Sequence, residues 1–465
     1  MWPFKTSLFF LGFIAACVLS LAHPIVGVCN YMLVYLVNPD KMWWGKPLAP
    51  LGIRYSLTAG VCLILGMVIS SGRVPKTRAF VLTWEVLLIL FAVTVGISSL
   101  IGTGTSDYGM VLLDKSFKMT IFLVCLSRMA SVERNYRVVL WTLVIGSLVI
   151  GYDAFNAPSD DFANGRLNFV GGPDFRESSG LAAHMAATLP LIGAVFVTTR
   201  SWRWRIIPLV AGILTVNTVV QCRTRSAFVG LIAGACVALI LAPRTRRIRV
   251  YSLLVVGALG LGLLADNRFW NRMSTMTDAR RFDRDTTIQS RLELWTIAAS
   301  MFFDHPLGVG IGQFRQTSRQ YASGGFQHAF TQPHRVTHNS YLLCATELGI
   351  QGVLILMAIL AVSVHRALRC FRLAVYSDDP HAARMLAYGS LIAVVIYAAT
   401  SAFTDRLYTE SFWWILTLPV CLDRALARQC IAREASEGLV DPADPETDGQ
   451  VRYGETACPP HCALG

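Results

Sequence analysis

The chain has 465 residues, 54% of them apolar and 15% charged, with a mean hydropathy of +0.50. A soluble globular chain carries roughly a quarter charged residues, so the composition excludes an ordinary soluble domain. The net charge of +12 does not point to nucleic acid, because the Lys and Arg are spread over short connections between apolar runs.

Taken in chain order, the apolar runs predict spans near 7–37, 54–70, 79–101, 113–127, 138–155, 181–198, 206–220, 226–242, 250–265, 338–364, 385–402 and 411–422. The first is long, or broken at Pro24, and is read as an uncleaved span despite Ser20-Leu21-Ala22 resembling a cleavage site. The last is short. About 20 apolar residues cross a bilayer as a helix, and the runs lack the alternation of membrane strands. The expected fold class is therefore all-α: a polytopic bundle of about 12 transmembrane helices. Its expected units are an N-terminal bundle over 1–265, a large loop with short helices over 266–337, C-terminal spans over 338–424, and a disordered tail over 425–465, which is rich in Glu, Asp, Pro and Gly.

Connections alternate in charge. SGRVPKTR (71–78), RMASVERNYR (128–137), RSWRWR (200–205), PRTRRIR (243–249) and HRALRCFR (365–372) each carry at least three basic residues, whereas TGTSDYG (103–109) and TDRLYTE (404–410) carry one or none. The positive-inside rule places the basic set and both termini in the cytoplasm. It places 156–180, 221–225 and 266–337 outside, in the periplasm of a Gram-negative cell. Structureless loops above roughly 15 residues are uncommon and often functional, so 266–337 is the first place to look for chemistry.

Arg223 and Arg225 (QCRTRSAFVG) lie in a very short outer turn, on the side this chain keeps poor in positive charge. Snorkelling anchors are the alternative. Lys115 and Lys118 enter the membrane from outside at helical spacing and suit either an anionic headgroup or an anchoring role. Within the loop, Leu292, Trp295, Ile297, Ala298, Met301 and Phe302 predict a helix with an apolar stripe. Arg291 and Trp295 share a face, and the helix stops at Asp304-His305-Pro306. The GVGIGQF that follows is a poor dinucleotide motif, since it follows a helix and not a strand.

His334, Arg335, His338 and Asn339 cluster where the chain re-enters the membrane. His338 fits a general base or a helix-end residue. Glu85 and Glu347 lie within spans and are read as paired structural charges ahead of catalytic ones. Asp160-Asp161 and Asp283-Arg284-Asp285 are weak metal motifs, and Cys458 and Cys462 with one His fall short of a zinc site. Neither a metal nor a cofactor is expected.

A set of Arg side chains with one His at the outer membrane face suits one chemistry. Guanidinium groups hold a diphosphate leaving group bidentately, and a neutral imidazole takes the proton of an attacking hydroxyl. No nucleotide sugar is available there, so the donor would be a membrane-anchored glycan. TRSAFVG around Arg225, Arg291-x-x-x-Trp295 followed by HPLGVGIGQF, and HNSYLLCATELGIQG resemble the signature of the O-antigen ligase and polymerase superfamily. PIVGVCNYMLVYLVNPDKMWWG (24–45) and RFWNRMSTM (268–276) resemble its exosortase-associated O-glycosylation ligase branch.

The resemblance covers residues from about 24 to 422, and it implies an undecaprenyl-diphosphate-linked glycan donor and inverting, metal-independent transfer in the bacterial inner membrane. The acceptor would be lipid A core, a protein or another glycan. By the same resemblance Arg225, Arg291 and His338 are the catalytic residues. Arg223, Arg335, Lys115, Lys118, His334 and Asn339 are weaker candidates for the carrier diphosphate. Where the family commonly has Ser-Arg-Gly, this chain has Thr224-Arg225-Ser226. A polymerase joining lipid-linked repeat units fits the same residues. A transporter of lipid-linked sugars fits less well, since it calls for repeat symmetry and mid-membrane charges.

Overall fold

The computed structural model describes residues 3–75, 83–104, 106–163, 165–242, 247–264, 270, 286–321 and 336–436. Among these the chain is almost entirely helical. The long helices are α1 (Phe4–Ala22), α2 (Pro24–Val37), α3 (Tyr55–Ile69), α4 (Thr83–Ile101), α5 (Asp107–Met129), α6 (Glu133–Phe155) and α7 (Ser178–Thr198). They continue as α8 (Trp202–Cys222), α9 (Arg225–Leu241), α10 (Arg247–Leu264), α11 (Thr286–Asp304), α12 (Ser340–Leu373), α13 (Pro380–Ser401) and α14 (Glu410–Ser436). Seven of them, α1, α4, α6, α7, α8, α12 and α13, are long and apolar enough to cross a membrane, and α3 and α9 are shorter apolar helices. The chain is an all-α polytopic membrane protein.

The first apolar run is two helices. Pro24 is the first residue of α2, where its missing N–H costs nothing, and the chain breaks at His23. α1 and α2 then both pack on α3. α11 covers the predicted loop helix, but its buried face is Ser290, Leu294, Ile297, Ala298 and Met301, whereas Leu292 is exposed.

The last span departs most from expectation. Far from being short, α14 has 27 residues and is the most enclosed helix of the bundle, with Phe412, Trp413, Trp414, Ile415 and Leu416 all buried. The apolar run ends at Leu422 because Asp423 and Arg424 follow, yet the helix continues through them. It reaches Ser436, beyond the expected start of a disordered tail at 425, and residues 437–465 lie outside the described residues. Lipid chains are as apolar as leucine, so close packing and paired polar groups hold such a helix in place. Arg424 grips both oxygens of Glu85 at 2.7 Å, and the Ser127 hydroxyl donates to the same carboxylate at 2.8 Å. Asp423 accepts from Arg366 at 2.9 Å and Arg369 at 3.4 Å. Glu85 is thus the paired structural charge the sequence suggested.

α12 is broken at Gly349, where φ is 71° and ψ is −168°. The glycine segment after α11 fills the break. Val309 N donates to Thr346 O at 2.8 Å, Gly310 N to Glu347 O at 3.1 Å and Ile350 N to Pro306 O at 2.9 Å. Backbone groups freed inside a membrane bundle need such partners. A Cβ on Gly308 would stand 2.5 Å from Glu347 O, and one on Gly349 would stand 2.4 Å from Leu307 C, so neither position admits a side chain. The Glu347 carboxylate accepts from Phe314 N at 3.3 Å and from the Tyr408 hydroxyl at 2.9 Å. The anion cradled by GVGIGQF is the protein's own carboxylate.

Candidate active site

The turn between α13 and α14, residues 402–409, organises one end of the bundle. Asp405 is half-buried in it and accepts three hydrogen bonds, from the Thr337 hydroxyl at 2.6 Å, His338 N at 2.9 Å and Asn339 N at 3.0 Å. Burial pushes its carboxyl above the ordinary range, and these donors pull it back. Ser340 and Arg406 N complete the clamp: the Ser340 hydroxyl donates to Thr404 O at 2.8 Å and accepts from Arg406 N at 2.7 Å.

His338 therefore sits in a fixed turn. Its φ of 51° is in the left-handed region, which a non-glycine residue holds only when its surroundings over-determine it. Asp405 supplies that constraint. The Asn339 side chain caps α12, accepting from Tyr341 N at 3.0 Å and Leu342 N at 3.1 Å. Its carbonyl oxygen is thus occupied by the helix end.

The helix that carries Arg291 reaches the same turn. One turn on, Trp295 donates its indole N–H to Thr337 O at 3.0 Å and packs against Phe403, with ring centroids 6.1 Å apart. Arg225 is the first residue of α9, whose Gly230 lies against Thr400 and whose Gly234 lies against Ile396 of α13. α9 and α13 thus run in close contact toward the turn at 402–409. Arg225, Arg291 and His338 are all half-buried. Both neighbours of Arg225, Thr224 and Ser226, are buried, so the side chain at 226 is packed inside the bundle.

The weaker candidates separate. Arg223 donates to the carbonyl of Gly165 and so pins the short hairpin Phe162–Ala163/Arg166–Leu167 over the helix ends. Lys115 is paired with Asp174, and Lys118 with Asp114 at 2.5 Å. His334 and Arg335 lie outside the described residues, as do Asp283, Asp285, Cys458 and Cys462.

Lys115 and Lys118 line a cavity of about 900 Å³ that opens between α3 and α5. One part of its wall is apolar, with the exposed Leu57, Val61, Ile64 and Ile121. The other part is charged, with Asp174, Arg315, Asp405, Arg406 and Glu410. Tyr31 donates to Glu410 at 2.9 Å, Tyr35 donates to Asp174, and Arg406 donates to Asp174 O at 3.1 Å. The Arg315 guanidinium lies 4.1 Å from the centre of the Tyr108 ring.

Arg225, Arg291 and His338 are not among the residues lining this cavity; Asp405 lines it while holding the His338 turn. Sequence reasoning missed Arg315, Arg406, Asp174 and Glu410. Their only signal was being ionisable residues in connections between apolar runs.

Residues 210–357 match the O-antigen ligase family model. The match runs from within α8 to past the break in α12 and takes in Arg225, Arg291 and His338. It supports the O-antigen ligase superfamily for this chain, and with it a membrane glycosyl-transferring function of ligase or polymerase type. No curated protein matches the chain. Lys115, Lys118, Asp174, Arg406 and Glu410, which form much of the charged cavity wall, lie outside the O-antigen ligase match.

Proposed function

We propose that this O-antigen ligase-like chain moves a glycan from undecaprenyl diphosphate to an acceptor hydroxyl, with inversion and without a metal, at the periplasmic face of a bacterial inner membrane. The acceptor oxygen attacks the anomeric carbon while the bond to the diphosphate oxygen breaks. His338 takes the hydroxyl proton, and Arg225 and Arg291 meet the negative charge that grows on the leaving diphosphate. One well-placed donor of this kind is worth about 3 kcal/mol in comparable sites. The cavity between α3 and α5 suits the carrier, with Lys115, Lys118, Arg315 and Arg406 near its charged end.

The observation that carries this reading is Asp405: one half-buried carboxylate holds the His338 turn and lines the cavity between α3 and α5. In a transfer assay with purified protein and lipid-linked glycan, Arg291→Ala and His338→Ala should each abolish product while inserting normally into the membrane. Normal transfer by both would sink the mechanism. A polymerase uses the same steps, with a growing chain as partner. A deletion strain separates the two: loss of a ligase accumulates long carrier-linked chains, whereas loss of a polymerase leaves single units.

A further inference from the structure

At the opposite end of the bundle, two cavities share a wall. α7 begins near Arg406 and ends at Thr198, where both cavities lie. The first, of about 660 Å³, is bounded by Arg134, Arg137, Arg200 and Arg428 together with Glu133, Asp378 and Asp379. The second, of about 550 Å³, runs between α6, α7 and α8 along Leu140, Trp141, Ile145, Val195 and Ile207, with Trp204 at its edge. Arg137, Thr198 and Arg200 belong to both.

Two of the three carboxylates are already engaged. Arg137 donates to one oxygen of Glu133 at 2.7 and 2.9 Å, and Gln429 donates to the other at 2.7 Å. Asp379 accepts from Ala382 N at 3.0 Å and from Arg200 at 3.4 Å. Arg134 is exposed and has no ion-pair partner among the described residues. Each guanidinium carries five N–H donors, so Arg137 and Arg200 keep donors to spare. The mouth is therefore positive and rich in donors.

A rim of arginines alone signals topology and nothing more. Here the rim continues into an apolar slot between two tryptophans, whose rings suit the membrane interface. A free anion has no use for the slot, and an uncharged lipid has no use for the arginines. We propose that the joined cavities bind one anionic glycerophospholipid. Its phosphate lies among Arg134, Arg200 and Arg428, and one acyl chain lies along Trp141, Ile145 and Ile207. Basic cavities between helix ends take anionic headgroups in this way.

The test uses the full chain in neutral detergent, with thermal unfolding followed as phosphatidylglycerol, phosphatidylcholine of the same chains, or inorganic phosphate is added. A ligand that binds the native state raises Tm with its concentration. Phosphatidylglycerol should give a saturable rise at a concentration about five-fold or more below that for phosphatidylcholine, and inorganic phosphate should give none. The double variant Arg134→Gln/Arg200→Gln should weaken phosphatidylglycerol roughly 25-fold and erase the preference. Ile145→Trp, at a lipid-facing position, keeps the charges, blocks the slot and should also weaken binding. Equal response to the two lipids, a matching rise with inorganic phosphate, or undiminished affinity in either variant overturns the proposal.

Discussion

The apolar stretch of α14 carries charges at both ends, and the two ends use them differently. At one end the buried Asp423 and Arg424 pair with half-buried Arg366 and Arg369 and with buried Glu85. At the other, Glu410 faces a cavity of about 900 Å³ beside Asp174, Arg406 and Asp405. A buried charge left without a partner is expensive, so the first cluster closes on itself and locks helices together. The second cluster lines a cavity, where a phosphate or a sugar hydroxyl can meet it. Charge that closes on itself and charge that lines a cavity are thus separated along one helix.

Substitutions should break this contrast in opposite ways. The largest effect is expected at the closed end. Glu85→Ala leaves Arg424 buried without its bidentate partner and should cost about 3–5 kcal/mol of stability. It should be read as a fall in the thermal midpoint of detergent-solubilised protein. Glu85→Leu with Arg424→Leu removes both charges and should recover most of that loss, since well-packed apolar residues replace a buried pair at little cost. Transfer per folded molecule should stay unchanged in the double variant. If it falls instead, the two ends are not separate devices.

At the open end the expectation reverses: activity falls further than stability. Asp405→Ala removes the acceptor of three hydrogen bonds and frees the left-handed turn at His338. Misplacing a catalytic group by about 1 Å costs on the order of 100-fold in rate. Transfer should fall by about that factor, with normal membrane insertion. Asp405→Asn retains one acceptor oxygen and should fall less. Equal rates for Asp405→Ala and wild type would remove Asp405 from the site.

Which parts were legible in the sequence follows from how local their causes are. The span boundaries, the break at Pro24 and the helix Thr286–Asp304 rest on runs of neighbouring residues, so periodicity and one proline suffice to find them. Arg225, Arg291 and His338 stand out as candidates through charge placement and the family resemblance. What was illegible depends on distant partners. Asp423 and Arg424 look like the end of a span until Glu85 is found 339 residues away from Arg424. The glycine segment makes a poor phosphate loop in the sequence, but its role shows only once Glu347 and the break at Gly349 are seen to receive it. Asp405 looks like an ordinary loop aspartate, because nothing local says that it caps the approach to α12.

The smallest expected effect gives the sharpest view of how the loop helix belongs to the open end. Trp295 joins α11 to the His338 turn by one hydrogen bond, from its indole N–H to Thr337 O, and by packing on Phe403. Trp295→Phe keeps an aromatic ring near Phe403 but deletes the donor. A single such hydrogen bond is worth about 1 kcal/mol, so the loss should be roughly five-fold. If α11 only stabilises the bundle, that loss appears in the thermal midpoint and leaves transfer per folded molecule intact. If α11 carries Arg291 into the site, the midpoint barely moves and transfer falls, because Arg291 and His338 are then held in register by this one bond. The second outcome is expected. Combining Trp295→Phe with Asp405→Ala should then give less than the product of the two losses, because both act on the same turn.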